Sequence, residues 1–407
     1  MEIITGVYLF FILVSLYSVF LVLLIHLKNR KNLFDEQEPK KRYALSVLIP
    51  AWNKEESITK TIQAVQSIDY PDYLKEIIVI DDHSTDKTLE KIKQCKGITI
   101  IAKEKNEGKA AALNTGIEKA NGELIVVIDA DAFPEKDSFK KMIGYFEDPQ
   151  VGAVTSTIIV KDPSNLLERM QAIEYYLIAW GRKILDFVDS VYVTPGPLSM
   201  YRKNLLKEVG GFDTNNITED IEIAWKILKQ GYKNKMCLAA KVYTDVPKKM
   251  KLWWRQRVRW DIGGLQTMNK YKSSFMKKEQ KMFGLFIVPR FIISHILSLT
   301  GFFIFLYFTY THLKSFFLKI FYNIITETPM LTIEEISITP SVFTFFIFFF
   351  LVITMIYTMI GLRSLNKAKI GIKGNLRVGI YLIFYLTLYP LILIHSLFLL
   401  LTGNIKW

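Results

Sequence analysis

The chain has 407 residues, half of them hydrophobic, with 52 Lys and Arg against 39 Asp and Glu and a formal charge of +13. Apolar richness beside a net positive charge fits membrane spans flanked by basic residues, and the length admits two or three domains. Only Cys95 and Cys237 are present, far apart and without metal-ligand spacing, which argues against a disulfide framework or a zinc site and reads as a reducing compartment.

Residues 4–25 form the first apolar run, close to the ~20 residues a bilayer requires. The run is long for a signal peptide, has no basic leading region and shows no small-residue cleavage site, so it reads as a retained span. Lys28, Arg30 and Lys31 follow, then Lys40, Lys41 and Arg42. By the positive-inside rule this end of the span is cytoplasmic.

From residue 43 the pattern changes. β-rich runs at 45–50, 76–81, 98–102 and 124–129 alternate with helical patterns such as 57–67 and 86–95. Near-continuous apolar strands separated by helices predict a parallel sheet covered on both faces. Ligands of such sheets bind beyond the carboxyl ends of the strands, and acids stand there twice, as Asp81-Asp82 and as Asp129-Ala-Asp131. Hard divalent cations take oxygen ligands and bridge a few carboxylates to substrate phosphates. Lys109 follows a turn at Asn106–Gly108 and opens a helix from Ala110 to Lys119; a cation and free N–H groups at a helix start suit a phosphate.

Residues 165–188, rich in Leu, Ile, Tyr and Trp, predict a helix that partly faces the membrane or an acceptor. Thr218-Glu219-Asp220 precedes a helix through Leu228, and on its own reads as an N-terminal cap with acids in the first turn. Residues 251–260 interleave Trp253, Trp254 and Trp260 with Arg255, Arg257 and Arg259, a mixture that suits neither a buried core helix nor a solvated face. Trp253 and Trp254 read as anchors at the headgroup level.

Three further apolar runs occupy about 291–312, 341–362 and 378–402, and Arg363, Lys367, Lys369, Lys373 and Arg377 lie between the last two. One topology satisfies both basic clusters: residues 26–290 inside, the 363–377 loop inside, the C-terminus outside. Residues 313–340, with Glu327, Glu334 and Glu335, are then an external loop. The expected division is 1–42, a span and basic linker; 43–275, a cytoplasmic catalytic domain; and 276–407, a membrane region.

Seven stretches, in order, resemble family-2 glycosyltransferases of GT-A fold. They are Ile49–Glu55, Val79–Asp86, Gly108–Asn114, Asp129–Asp131, Pro195–Arg202, Thr218–Asp220 and Gln256–Trp260. The likeness is greatest to the membrane-integrated processive branch, which includes cellulose, chitin, hyaluronan and poly-N-acetylglucosamine synthases. It implies an α/β GT-A (Rossmann-like) domain inserted between transmembrane helices, with interfacial amphipathic helices.

The resemblance also implies residue roles. Pro50 and Trp52 would line the nucleotide, with the Trp52 ring on the uracil, and Asp82 would meet the base. Lys109 would help hold the nucleotide, Asp129 the ribose or the metal, and Asp131 a Mg²⁺ or Mn²⁺ on the diphosphate. Asp220 would be the general base of an inverting transfer. Gln256, Arg259 and Trp260 form the Q-x-x-R-W signature: Gln256 and Arg259 toward the donor, Trp260 under the terminal sugar of the acceptor. Glu219, Gly196 and Pro197 would border that acceptor. Lys54 departs from the Glu of many relatives and takes no role from them.

The function this implies is processive synthesis of a β-linked polysaccharide from a UDP-sugar, UDP-GlcNAc or UDP-glucose first, with help in its export. The alternative is a single addition to a lipid carrier or glycolipid. The partners are the donor, the growing glycan or glycolipid and the bilayer, with no nucleic acid. Four spans are few for secretion, so a channel would need interfacial helices, a small membrane partner or a homo-oligomer.

Overall fold

A computed structural model describes residues 2–326, 342–365 and 372–404. In chain order the elements are α1 (Glu2–Asn29), β1 (Leu45–Ala51), α2 (Ile58–Gln66), β2 (Lys75–Asp81), α3 (Thr88–Lys93), β3 (Thr99–Ala102), α4 (Lys109–Lys119), β4 (Leu124–Val127), β5 (Ala132–Pro134) and α5 (Ser138–Ile143). They continue as β6 (Val151–Val160), α6 (Leu166–Asp186), β7 (Ser199–Arg202), α7 (Lys203–Glu208), α8 (Glu219–Lys229), β8 (Lys233–Thr244), α9 (Met250–Tyr271), α10 (Val288–Thr326), α11 (Val342–Leu365) and α12 (Ile372–Thr402).

The sheet runs β3-β2-β1-β4-β7-β6-β8-β5. Its first four strands are parallel, as their unbroken apolar runs predict. The other half is mixed: β7 is antiparallel to both β4 and β6, β6 and β8 are parallel, and β5 runs against β8. Side chains alternate between two cores, as the period of a strand requires. Val47, Ile49, Val79 and Val126 enter one core, and Leu48, Ile78, Ile80, Ile125 and Val127 the other. Pro50 is tolerated in β1 because β4 pairs with β1 only as far as Leu48, so the missing N–H falls beyond that ladder. Beyond this ladder end lies the edge where ligands of such sheets bind.

Three helices are long and apolar enough to cross a membrane: Leu9–Asn32, Phe283–Thr326 and Arg377–Thr402. The fourth expected span, 341–362, falls on α11, of which Val352–Leu365 is a shorter apolar helix among the described residues. Within the expected external loop at 313–340, α10 continues as helix to Thr326. Residues 327–341, with Glu327, Glu334 and Glu335, and residues 366–371, with Lys367 and Lys369, lie outside the described residues.

The sheet domain and these helices meet through α6 and α9. Asn165 and Glu168 form a reciprocal capping box at the start of α6. Trp180 of α6 is fully buried, donates from Nε1 to His26 Nδ1 of α1 at 3.2 Å, and lies 4.8 Å from the Tyr357 ring of α11. This stretch packs on the apolar helices α1 and α11. Trp253 is not a headgroup anchor: it is fully buried, its ring 5.2 Å from Phe384 and 5.8 Å from Tyr385 of α12. Trp254 is half-buried and donates to His395 of α12 at 2.9 Å. An apolar face of α12 covers the Trp253 indole.

Candidate active site

The Asp129-Ala-Asp131 turn follows β4, the strand beside β1. The Ala130 carbonyl accepts from Ser57 Oγ at 2.8 Å and Thr61 Oγ1 at 2.9 Å, so α2 pins the turn from behind. The two flanking carboxylates point to different cations. Asp129 meets the Lys109 ammonium at 2.6 Å, and Asp131 meets Lys54 at 2.5 Å. Lys109 also reaches Glu219 at 2.8 Å. It thus joins the sheet edge to the first turn of α8.

Gly196 lies against this junction. A Cβ there would stand 2.2 Å from Lys109 Nζ and 2.6 Å from Asp129 Oδ1, so only glycine lets the 195–198 loop come this close. Pro197 beside it is half-buried.

Thr218 does not cap α8: its side chain accepts no hydrogen bond from the helix, and its hydroxyl turns to Asn216 Oδ1 at 3.3 Å. Asp220 Oδ1 takes the N–H of Ile221 at 2.9 Å. The turn is held from α9 instead, by Gln266 Oε1 accepting from the Ile217 N–H at 3.1 Å and by Thr267 Oγ1 accepting from Asn216 Nδ2 at 2.9 Å. Behind α8, the buried Trp225 ring packs at 5.4 Å on Phe283 and 5.5 Å on Phe291. Trp225→Ala is expected to cost about 3–5 kcal/mol, readable as a lower midpoint of thermal unfolding in detergent.

Charge sets the protonation states here. Burial first, then the Glu219 carboxylate, raises Asp220, which Lys109 and Arg259 pull back; the balance pushes it up to about 6. Burial alone would lower Lys109, but Asp129, Glu219 and Asp220 outweigh it and hold the ammonium well above its ordinary range. The site therefore offers a carboxylate that changes state near neutrality beside a permanent cation.

Of the remaining expected residues, Trp52 stands 52% exposed at the end of β1, open to a flat ring. Asp82 is otherwise engaged. It is buried and accepts from Glu107 N at 3.1 Å and Gly108 N at 2.7 Å, with Lys103 at 2.9 Å, so it organises the loop that opens α4. Asp81 beside it keeps a buried oxygen, Oδ1, without a hydrogen-bond partner. On α9, Arg259 is exposed, Gln256 and Trp260 are half-buried, and Gln256 Oε1 accepts from Arg257 at 3.3 Å.

Two residues escaped the sequence reading, Glu174 and Arg182, and Lys54 was singled out without a role. Arg182 of α6 senses Asp220, carries a buried Nε without a partner, and is lowered by burial to about 10. Its only sequence signal is a charge inside an apolar helical pattern.

As a metal site the donor chemistry fits. Asp129 and Asp131 are partly exposed oxygen donors, and among the described residues no three His, Cys, Asp or Glu cluster to form a complete cage. Mg²⁺ is bound in this way, by one or two carboxylates with substrate phosphates and water.

Residues 46–210 match the family described as Glycosyl transferase family 2. The chain is 34% identical over 249 residues to the poly-beta-1,6-N-acetyl-D-glucosamine synthase of Staphylococcus aureus strain COL, covering 60% of each chain. It is 34% identical over 243 residues to the protein of the same name from Staphylococcus epidermidis, covering 58% of each. The match thus spans three fifths of the length of these relatives. Among solved structures, a mannosyltransferase from Pyrobaculum calidifontis in complex with GDP-Man and Mn²⁺ has a TM-score of 0.54 at 24% identity, over 71% of this chain and 81% of that one. This last likeness concerns the fold, a GT-A-like α/β domain.

Proposed function

We propose, for a chain whose residues 46–210 match Glycosyl transferase family 2, an inverting transferase that builds a β-linked polysaccharide, with UDP-GlcNAc as first donor. The observation that carries this reading is Asp220. It sits on the first turn of α8 near Lys109, Glu219, Asp129 and Arg259, and is pushed up to about 6. A base of that strength is largely ionised at neutral pH yet basic enough to take a proton from a hydroxyl. The relatives' names supply the sugar, N-acetyl-D-glucosamine, and the polymer.

The chain's residues divide the work as follows. Trp52 stacks on the base, and the unpartnered Asp81 oxygen is the better acceptor for its N–H, since Asp82 is spent on the 103–108 loop. Arg259, exposed on α9, presents a planar donor fork to the diphosphate, with Gln256 one turn before it. Trp260 lies under the acceptor sugar, bordered by Glu219, Gly196 and Pro197. Asp220 accepts the attacking hydroxyl's proton, and no covalent nucleophile is needed for inversion. Asp131, with Asp129, would hold Mg²⁺ or Mn²⁺, which when bound neutralises charge on the leaving diphosphate.

Lys54 bears on that cation, because it occupies the carboxylate the metal needs. Lys54→Ala is expected to lower the half-saturating Mg²⁺ or Mn²⁺ concentration roughly fivefold, the equivalent of about 1 kcal/mol for a partly exposed ion pair. Cation titration of donor turnover checks it, and an unchanged or higher requirement counts against Asp131 as ligand.

The membrane placement follows from charge. Lys28, Arg30 and Lys31 at the C-terminal end of the first apolar helix support a cytoplasmic sheet domain in a multi-pass protein of the cell membrane. The test of the whole reading uses the full chain in nanodiscs with Mg²⁺ or Mn²⁺ and a panel of UDP-sugars. UDP release and a large labelled product from UDP-GlcNAc are expected. A product one sugar longer than an added lipid would overturn polymerisation.

A further inference from the structure

Glu174 of α6 and Arg257 of α9 form an ion pair deep between α6, α9 and α12, each 2% exposed. The Glu174 carboxylate is filled on both oxygens. Arg257 Nη2 and Tyr385 OH donate to Oε2, the latter at 2.7 Å, and Tyr389 OH donates to Oε1 at 2.6 Å. Two tyrosines of α12 therefore close on a guanidinium-carboxylate pair drawn from α6 and α9. A buried pair of this kind is weak evidence for stability, because apolar residues of similar volume commonly serve as well.

The geometry gives the pair another use. The Arg257 guanidinium lies over the Trp260 ring, 4.1 Å from its centroid, and 5.6 Å from that of Trp253. Arg257 and Trp260 are three residues apart on α9 and so share a face of the helix. A guanidinium locked on one side by a carboxylate cannot swivel, and its flat face then fixes the plane of the ring stacked on it. Arg259, two residues on, is exposed, so the two arginines of the same short stretch do different work.

We propose that Arg257, clamped by Glu174, Tyr385 and Tyr389, is a positioning residue that sets the orientation of Trp260, and through it the fit of the acceptor sugar. The inference rests on Trp260 being the acceptor platform. It also makes α12, which supplies both tyrosines, part of acceptor recognition, although no residue of α12 belongs to the donor site.

The test measures, in full-length protein in nanodiscs, calorimetric binding of a β-1,6-linked N-acetylglucosamine oligosaccharide in the presence of UDP, alongside UDP binding alone. Arg257→Lys keeps the charge and loses the plane. It is expected to weaken oligosaccharide binding tenfold or more and leave UDP binding within twofold. Glu174→Gln with Arg257→Met removes both charges, keeps the volume and is expected to match the wild-type melting temperature, yet weaken oligosaccharide binding as much. A purely structural pair predicts the reverse for the double variant, normal binding once the fold is intact, and that result overturns the proposal. Trp260→Ala separates the two layers. If it weakens the oligosaccharide and the two other variants do not, positioning alone is wrong. If Trp260→Ala has no effect, the acceptor reading falls and takes the positioning role with it.

Discussion

Asp220→Asn is expected to lower sugar transfer by ~10²–10⁴-fold, the usual contribution of a positioned general base, while leaving donor binding nearly intact. The same substitution should make the protein more stable at pH 8. An ordinary aspartate titrates at 3.8, and Asp220 is pushed up to about 6. Between those values the folded chain binds more protons at this site than the unfolded one, so stability falls as pH rises through the window and stays lower above it. Asparagine carries no charge to desolvate and removes that loss. In the wild type the base form fills as pH rises through about 6, so kcat/KM should climb along a limb centred there and level off. The decisive pairing is a higher melting temperature at pH 8 with lost transfer. A variant that keeps activity, or a wild-type rate flat from pH 5 to 8, would remove Asp220 from the role.

Gly263→Ala should be nearly as damaging, although Gly263 touches no expected ligand. A Cβ there would lie 2.0 Å from Thr218 Oγ1 and 2.6 Å from Thr218 Cβ. That clash is with a short, stiff β-branched side chain, so α9 or the Thr218–Asp220 turn must move. The move shifts Asp220 relative to Arg259 and Trp260, and misplacement by ~1 Å can cost ~10²-fold. The expected result is a loss of kcat with the ordinary aspartate-dependent pH limb retained. Wild-type kcat in Gly263→Ala would show that the α8–α9 contact tolerates slack.

These two predictions mark where sequence reading reached and where it stopped. Asp220 drew attention only through the resemblance, since Thr218-Glu219-Asp220 by itself is a capping pattern, whereas the parallel strands were legible because full burial on both faces leaves unbroken apolar runs. The mixed half of the sheet was not: β8 runs Lys233–Thr244 with lysines at 235 and 241, and its partners are assigned only by contacts far along the chain. Thr218 read as a cap because capping is a local pattern, whereas the partner it actually uses is set by a turn held from α9. Nothing local to Arg257 shows that it is buried, for the same reason. Glu174 is 83 residues before it, and Tyr389 lies 215 residues beyond Glu174. A charge reads as buried only once its partner is known. Trp253 was misplaced by the same logic, since its cover comes from α12.

The length of α10 has a consequence outside the site. Its 39 residues, at 1.5 Å each, make a rod of about 58 Å, almost twice the ~30 Å hydrocarbon layer. Tilting to about 40°, the steep end of what spanning helices adopt, still leaves roughly 14 Å of its vertical reach to spare. On the proposed topology the end near Phe316, Phe321 and Tyr322 stands clear of the acyl chains on the far side. A cysteine placed there would react with a bulky, membrane-impermeant maleimide on intact cells, and the protein would be seen from outside by a post that its catalytic half never shows.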